Sequence, residues 1–137
     1  MKKHRVGIAG YGWAATAHIP AINASPLAQV TTICSSRALD AKALSAQHGC
    51  ELRTCTSYDA MLRDPAVDVV SICSYHAQHA KQVIAAAEKV LRDQGMEVIA
   101  ALVESDNPAS LALFQQAGYT EIEPGIHYLA KRESDEA

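Results

Sequence analysis

Arg5-Val6-Gly7-Ile8-Ala9-Gly10-Tyr11-Gly12-Trp13-Ala14-Ala15 is the stretch on which the fold of this chain turns. A short apolar run ends in glycine, as a strand buried in a parallel sheet does. It leads directly into the pattern G-x-G-x-x-A. From Trp13 to Asn23 small and apolar residues then recur at helical spacing until Ser25-Pro26 breaks the pattern. Each small residue of the turn has its own physical role. Gly10 permits a tight bend, Gly12 lets the backbone approach a pyrophosphate, and Ala15 lets helix and strand pack closely. The helix mouth then offers N–H groups and partial positive charge to phosphates. A glycine turn between strand and helix also occurs as plain structure, so a phosphate-binding turn and a purely structural one both stand. Its place between a first strand and a first helix favours the former.

Working outward, Gln29 to Cys34 is β-branched and strand-like, and Leu39 to His48 is helical with Gly49 as its stop. An extended piece near Glu51 to Cys55 and a small helix near Ser57 to Arg63 follow. Val67 to Cys73 reads as the clearest buried strand, His76 to Gln94 as a long helix closed by Gly95, and Met96 to Val103 as another buried strand. Asn107-Pro108 is a capping side chain followed by proline at the first helical position, which starts a helix running to Ala117. Tyr119 to Glu123 and Ile126 to Arg132 are strand-like and joined by Pro124-Gly125, a hairpin turn. Residues 133–137 are acidic and expected to fray.

Strands alternating with helices predict an α/β fold: a doubly wound, Rossmann-like three-layer domain with a mostly parallel sheet. The expected order is 3-2-1-4-5, with a C-terminal antiparallel hairpin added beside the fifth strand. The 137 residues suit a single domain over 1–137, with 1–90 as its dinucleotide-binding half.

Composition narrows the partners. Net charge is −3 with acids and bases scattered, whereas nucleic acid or an anionic membrane would want clustered Lys and Arg. The basic start Met1-Lys2-Lys3-His4-Arg5 precedes an apolar run too short for a signal peptide or a membrane span. Cys34, Cys50, Cys55 and Cys73 lack CxxC spacing and read as free thiols, which implies a reducing, cytoplasmic setting.

The end of the second strand bears on the cofactor. An NAD site usually places Asp or Glu there for the ribose 2′-OH. This chain has Cys34-Ser35-Ser36-Arg37 instead. Hydroxyls followed by a guanidinium suit the 2′-phosphate of NADP, with no carboxylate to repel it. Arg37 is otherwise a solvated residue opening the next helix. The dinucleotide expected is therefore NADP, with NAD the alternative.

From Val6 to about Ala87 the chain resembles the Gfo/Idh/MocA oxidoreductases. The matching stretches are Val6 to Trp13, His18-Ile19-Pro20-Ala21, Tyr58-Asp59-Ala60-Met61-Leu62 and Asp64 to Cys73, followed by Ser74-Tyr75-His76 and His79. In that family the last segment looks like T-P-N-x-x-H, whose turn lies against the cofactor. Ser74, Tyr75 and His76 take the first three places, and His79 matches the last. The resemblance thus implies cofactor contacts from Gly10, Tyr11, Gly12, Trp13 and Ala15, from Ser35, Ser36 and Arg37, and from Ser74, Tyr75, His76 and His79. Tyr11 and Trp13 flank the cofactor on this reading; Trp13 packed on the domain surface is the alternative. His79 lies near the nicotinamide end or is an ordinary first-turn residue.

The family continues into a Glu-Lys-Pro motif, whose lysine works beside the nicotinamide, and a second domain with the substrate site. Here Met96 to Val103 stands in that place, and no Glu-Lys-Pro occurs. Hydride transfer needs substrate held against the nicotinamide with a proton donor in reach. The expectation is a catalytically incomplete module with no catalytic residues of its own. An oxidoreductase completed by a partner chain or a homodimer is the alternative, and a sheet edge left exposed would admit such a dimer. His18, His76 and His79 suggest no metal, since no carboxylate or Cys completes a set.

Residues 91–132 resemble a different family, the C-terminal end of a GNAT acetyltransferase. Asn107, Ser110, Leu113-Phe114 and Gly118-Tyr119 carry the spacing N-x-x-S-x-x-L-F-x-x-x-G-Y. The family's pyrophosphate loop is missing, and Phe114 stands where a proton-donating tyrosine often does. Acetyl transfer is not expected. Asn107 is explained by helix capping, with ligand contact the alternative. By this second resemblance the last strand inserts next to the fifth, antiparallel to it. The two resemblances imply a chimera joined within the helix between His76 and Gln94, and a folded recombinant scaffold without ligand is a further alternative.

Overall fold

A computed structural model describes residues 2–104, 106–123 and 128–132. The Pro124-Gly125 turn, Ser105 and the tail 133–137 lie outside the described residues. The elements run β1 (His4–Ala9), α1 (Trp13–Asn23), β2 (Ala28–Cys34), α2 (Ala41–His48), β3 (Arg53–Cys55), α3 (Tyr58–Leu62), β4 (Val69–Ile72), α4 (His76–Asp93), β5 (Val98–Leu102), α5 (Pro108–Gln116), β6 (Thr120–Glu123) and β7 (Tyr128–Arg132). They fall into two compact units, Met1–His79 and Ala80–Ala137, divided inside α4. Among the described residues, no helix is long and apolar enough to cross a membrane.

In the first unit the sheet order is β3-β2-β1-β4, all pairs parallel. Alternate residues of β1 serve opposite faces, as the two-residue period of a strand requires. Val6 and Ile8 join Ala15 and Ile19 of α1, Val30 and Ile33 of β2, and Leu44 of α2 in one core. Ala9 joins Cys34 and Met61 on the other, where Tyr58 of α3 packs. Helices on both faces give the three layers. Ile8, Ile19, Val30 and Ile33 are fully buried, each worth about 1.5–3 kcal/mol by transfer from water.

Two expectations about burial and order are corrected. Val67 to Cys73 is not a fully buried strand: β4 is the edge of its sheet, and Val69 is 46% exposed. The order 3-2-1-4-5 ends at β4, because β5 lies in a separate three-stranded sheet of order β5-β7-β6. The ladder of β5 goes to β7, antiparallel and in register from Val98↔Arg132 to Leu102↔Tyr128. That insertion of the last strand beside the fifth is the arrangement expected for the hairpin. Met96 to Val103 is accordingly half-buried. Ile99 and Val103 face a core shared with Tyr119, Leu129, and the α4 and α5 side chains Ile84, Leu91, Leu111 and Phe114. Val98 and Leu102 point outward. An antiparallel sheet covered on one face buries only every second residue.

The start of β4 is tied to β1 by charge. The Arg5 guanidinium grips Asp68 through Nε (3.0 Å) and Nη2 (2.7 Å), and the Arg5 backbone N–H donates to the same carboxylate at 2.8 Å. These bonds, led by the side-chain ones, hold the Asp68 carboxyl well below the usual carboxylate range. A depressed folded-state value means the stabilisation is complete above the unfolded-state value of about 4 and is lost as pH falls below it. Asp68→Asn should therefore lower stability near neutral pH and flatten the acid limb of the stability profile. Urea titrations at stepped pH measure this, and a variant with the parent's acid limb would disprove the assignment.

Candidate functional site

The sheet order puts β1 between β2 and β4, so the strand order reverses at β1. Where strand order reverses, loops beyond the carboxyl ends diverge and leave a crevice. The three loops concerned carry the residues expected to contact cofactor: Gly10 to Gly12 after β1, Ser35 to Arg37 after β2, and Ser74-Tyr75 after β4, together with the first turns of α1 and α4.

Backbone bonds hold these loops level. The Gly10 N–H donates to the Cys34 carbonyl (2.8 Å), the Ser35 N–H to Cys55 (3.0 Å), and the Cys73 N–H to Ala9 (2.7 Å). Gly10 has φ +94°, and a Cβ built there would stand 2.7 Å from Ser74 Cα and 2.8 Å from Ser74 N. Glycine is therefore required twice over, for its dihedral and for the close approach of two loops.

Gly12 caps α1 in an extended conformation (φ −118°, ψ −162°), and among the described residues no capping side chain bonds to the N–H groups of the first turn. A Cβ at Gly12 would meet nothing within 4 Å. The helix mouth thus presents its backbone N–H donors beside open space at Gly12, and these residues fit a diphosphate. Ala15 is fully buried against the core, while Trp13 is 87% exposed and stands clear of the domain surface.

After β2, the buried Ser35 accepts the Arg37 N–H through Oγ at 3.3 Å, and Ser36 is exposed. Arg37 reaches back across the loops, its Nη2 donating to the Tyr11 carbonyl at 3.1 Å. The first acid beyond, Asp40, caps α2, accepting the N–H groups of Lys42 (2.9 Å) and Ala43 (3.0 Å).

After β4, Tyr75 and His76 are exposed, and His79 is half-buried. His79 Nε2 donates to the Ser74 carbonyl at 2.6 Å, and its ring meets that of His76 edge-on at 5.2 Å. This bond closes the β4–α4 turn. His18 belongs to a different pairing, its Nδ1 lying 3.1 Å from Ser71 Oγ. The four cysteines are free, and burial beside Cys55 pushes the Cys34 thiol up to about 12, so it stays protonated and poorly nucleophilic. In the second unit, Asn107 accepts the Ser110 N–H at 3.0 Å and caps α5.

One contact lay beyond sequence reasoning. The Tyr11 hydroxyl lies 2.9 Å from His48 Nε2, at the far end of α2. His48 directly precedes the stop signal Gly49, which marks a helix end but gives no sign of a partner.

The sequence profile of the Gfo/Idh/MocA oxidoreductases, described as having an NAD-binding Rossmann fold, matches residues 4–92. The chain belongs to this oxidoreductase family. Among solved structures, the NAD-binding protein from Listeria innocua is similar at 30% identity and TM-score 0.53, over 64% of this chain and 25% of that one. Biliverdin reductase from Synechocystis, solved with biliverdin and NADP+, is similar at 25% identity and TM-score 0.54, over 62% and 26%. The myo-inositol dehydrogenase from Lactobacillus casei, solved with NAD(H) and myo-inositol, shares the fold at 24% identity and TM-score 0.58, over 64% and 26%. This family member thus spans about a quarter of the length of these structures. No curated protein matches the chain.

Proposed function

We propose that the first unit binds a nicotinamide dinucleotide, with the pyrophosphate at the β1–α1 turn. The carrying observation is the uncapped mouth of α1 at Gly12, open where a side chain would otherwise stand. The adenosine ribose lies toward Ser35, Ser36 and Arg37; the far ribose and nicotinamide lie toward Ser74, Tyr75 and His76, with His79 holding the turn beneath them. When bound, the nicotinamide supplies hydride chemistry. The residues named here bind and orient it. Since the Glu-Lys-Pro motif does not occur, the module turns over little or nothing by itself, and NADP incubated with sugars and polyols is expected to give a flat trace.

NADP is the preferred form. Arg37 is anchored by one donor to the Tyr11 carbonyl, and a guanidinium carries five, which leaves donors for a 2′-phosphate. Hydrogen bonds to charged groups are worth about 1.5–3 kcal/mol, so Arg37→Ala should weaken NADPH binding about ten- to hundredfold. NADH lacks the phosphate, so its binding should fall about tenfold less than that of NADPH, by only the share owed to the hold of Arg37 on the Tyr11 carbonyl. Calorimetric titration of both cofactors tests the reading. Failure of either to saturate at millimolar concentration removes the binding function, and equal losses for both remove the role of Arg37.

The chimera reading concerns the second unit. Its support is the strand order β5-β7-β6 with an Asn107-capped helix between β5 and β6, the arrangement implied by the GNAT resemblance.

A further inference from the structure

We infer that His48 is a positioning residue for the phosphate-binding turn, holding the Tyr11 hydroxyl and so fixing the backbone between Gly10 and Gly12 without touching ligand. The inference rests on the dinucleotide reading for what the turn is for. That the turn is held rests on geometry alone.

A residue flanked by two glycines sits in the most pliable backbone a chain can offer, so it is held by what its own side chain and carbonyl can reach. Tyr11 is anchored at both ends. Its hydroxyl lies 2.9 Å from His48 Nε2, the two rings meet edge-on at 6.0 Å and 86°, and its carbonyl accepts Arg37 Nη2 at 3.1 Å. The ring is half-buried against the core of the first unit.

The anchor is itself rigid. α2 is capped at its start by Asp40 and at its end by Gly49, which adopts φ +65° and donates its N–H to the Ser45 carbonyl. The Cys50 N–H donates to the same carbonyl at 3.3 Å, and Ser45 Oγ accepts the Leu52 N–H at 2.9 Å. His48, the last residue of a helix fixed at both ends, thus lends its stiffness to a loop that has little. A loop ordered during folding need not be ordered during binding, and that saving appears as affinity.

The test uses Tyr11→Phe, which keeps the ring and loses the hydroxyl, with His48→Leu, the double variant, and His48→Gln, whose amide can donate or accept. Backbone order parameters at Tyr11 and Gly12 in the unliganded protein are expected near 0.85 in the parent and toward 0.6 in Tyr11→Phe and His48→Leu. NADPH affinity should fall about three- to tenfold in each, and melting temperature by about 2–6 °C, the share of one net hydrogen bond that the folded protein loses with or without ligand. The double variant should lose no more than either single one, and His48→Gln should retain both rigidity and affinity. Parent-like order parameters in Tyr11→Phe overturn the inference, as do losses that multiply in the double variant. If the parent binds no dinucleotide, the proposed function fails while the order parameters still decide the clamp. Should His48→Leu fail to fold, Tyr11→Phe carries the same decision.

Discussion

Gly12→Thr is expected to lose at least about a hundredfold in NADPH affinity while melting within a degree or two of the parent. The two halves of that result have separate causes. Gly12 is extended at φ −118° and ψ −162°, a conformation open to any residue, and nothing lies within 4 Å of its missing Cβ. Threonine therefore meets no overlap, and threonine and glycine rank alike at a helix N-cap. The fold has no reason to object. The ligand does, because the γ atoms take up the open space at the helix mouth and the hydroxyl takes an N–H that a phosphate would use. Charge-assisted bonds to a phosphate are worth about 1.5–3 kcal/mol each, and losing one or two reaches the stated factor. Calorimetry and thermal melting on the same preparation measure both. Binding at the parent's affinity would place the pyrophosphate elsewhere.

The first unit was largely legible because its signals are local. Gly10, Gly12 and Ala15 name a strand–turn–helix within a dozen residues, and Gly49 and the Asn107-Pro108 pair name a helix end and a helix start. Burial along β4 and β5 was not legible, because it depends on which partner a strand finds. Val69 and Val70 look alike in sequence, yet an edge strand exposes Val69. In β5 the outward residues Val98, Ala100 and Leu102 are as apolar as the inward Ile99, Ala101 and Val103, so the alternation left no trace. The three loops of the site could be placed, since each follows a strand end. The bond from Tyr11 to His48 could not, because it joins residues 37 apart with no motif between them.

Gly10→Ala is expected to do the opposite of Gly12→Thr and to destabilise the protein by about 3–5 kcal/mol. An L side chain at φ +94° costs about 1–3 kcal/mol in backbone strain. The added Cβ would also stand 2.7 Å from Ser74 Cα. A flexible side chain could swing away from such an overlap, but main chain cannot, so the β4 loop must move. Cys73 moves with it, stretching the 2.7 Å bond from its N–H to Ala9 and disturbing the neighbouring bond from Gly10 to Cys34. Native proteins hold only about 5–15 kcal/mol in reserve, so a large share of the stability is at stake. Urea unfolding with an unchanged slope would measure it. A second substitution separates this account from ordinary crowding: Ser74→Gly should not rescue Gly10→Ala, because the obstructing atoms are the Cα and N that glycine also has. Recovery in the double variant would mean that the serine side chain, not the meeting of two backbones, sets the distance between the β1 and β4 loops.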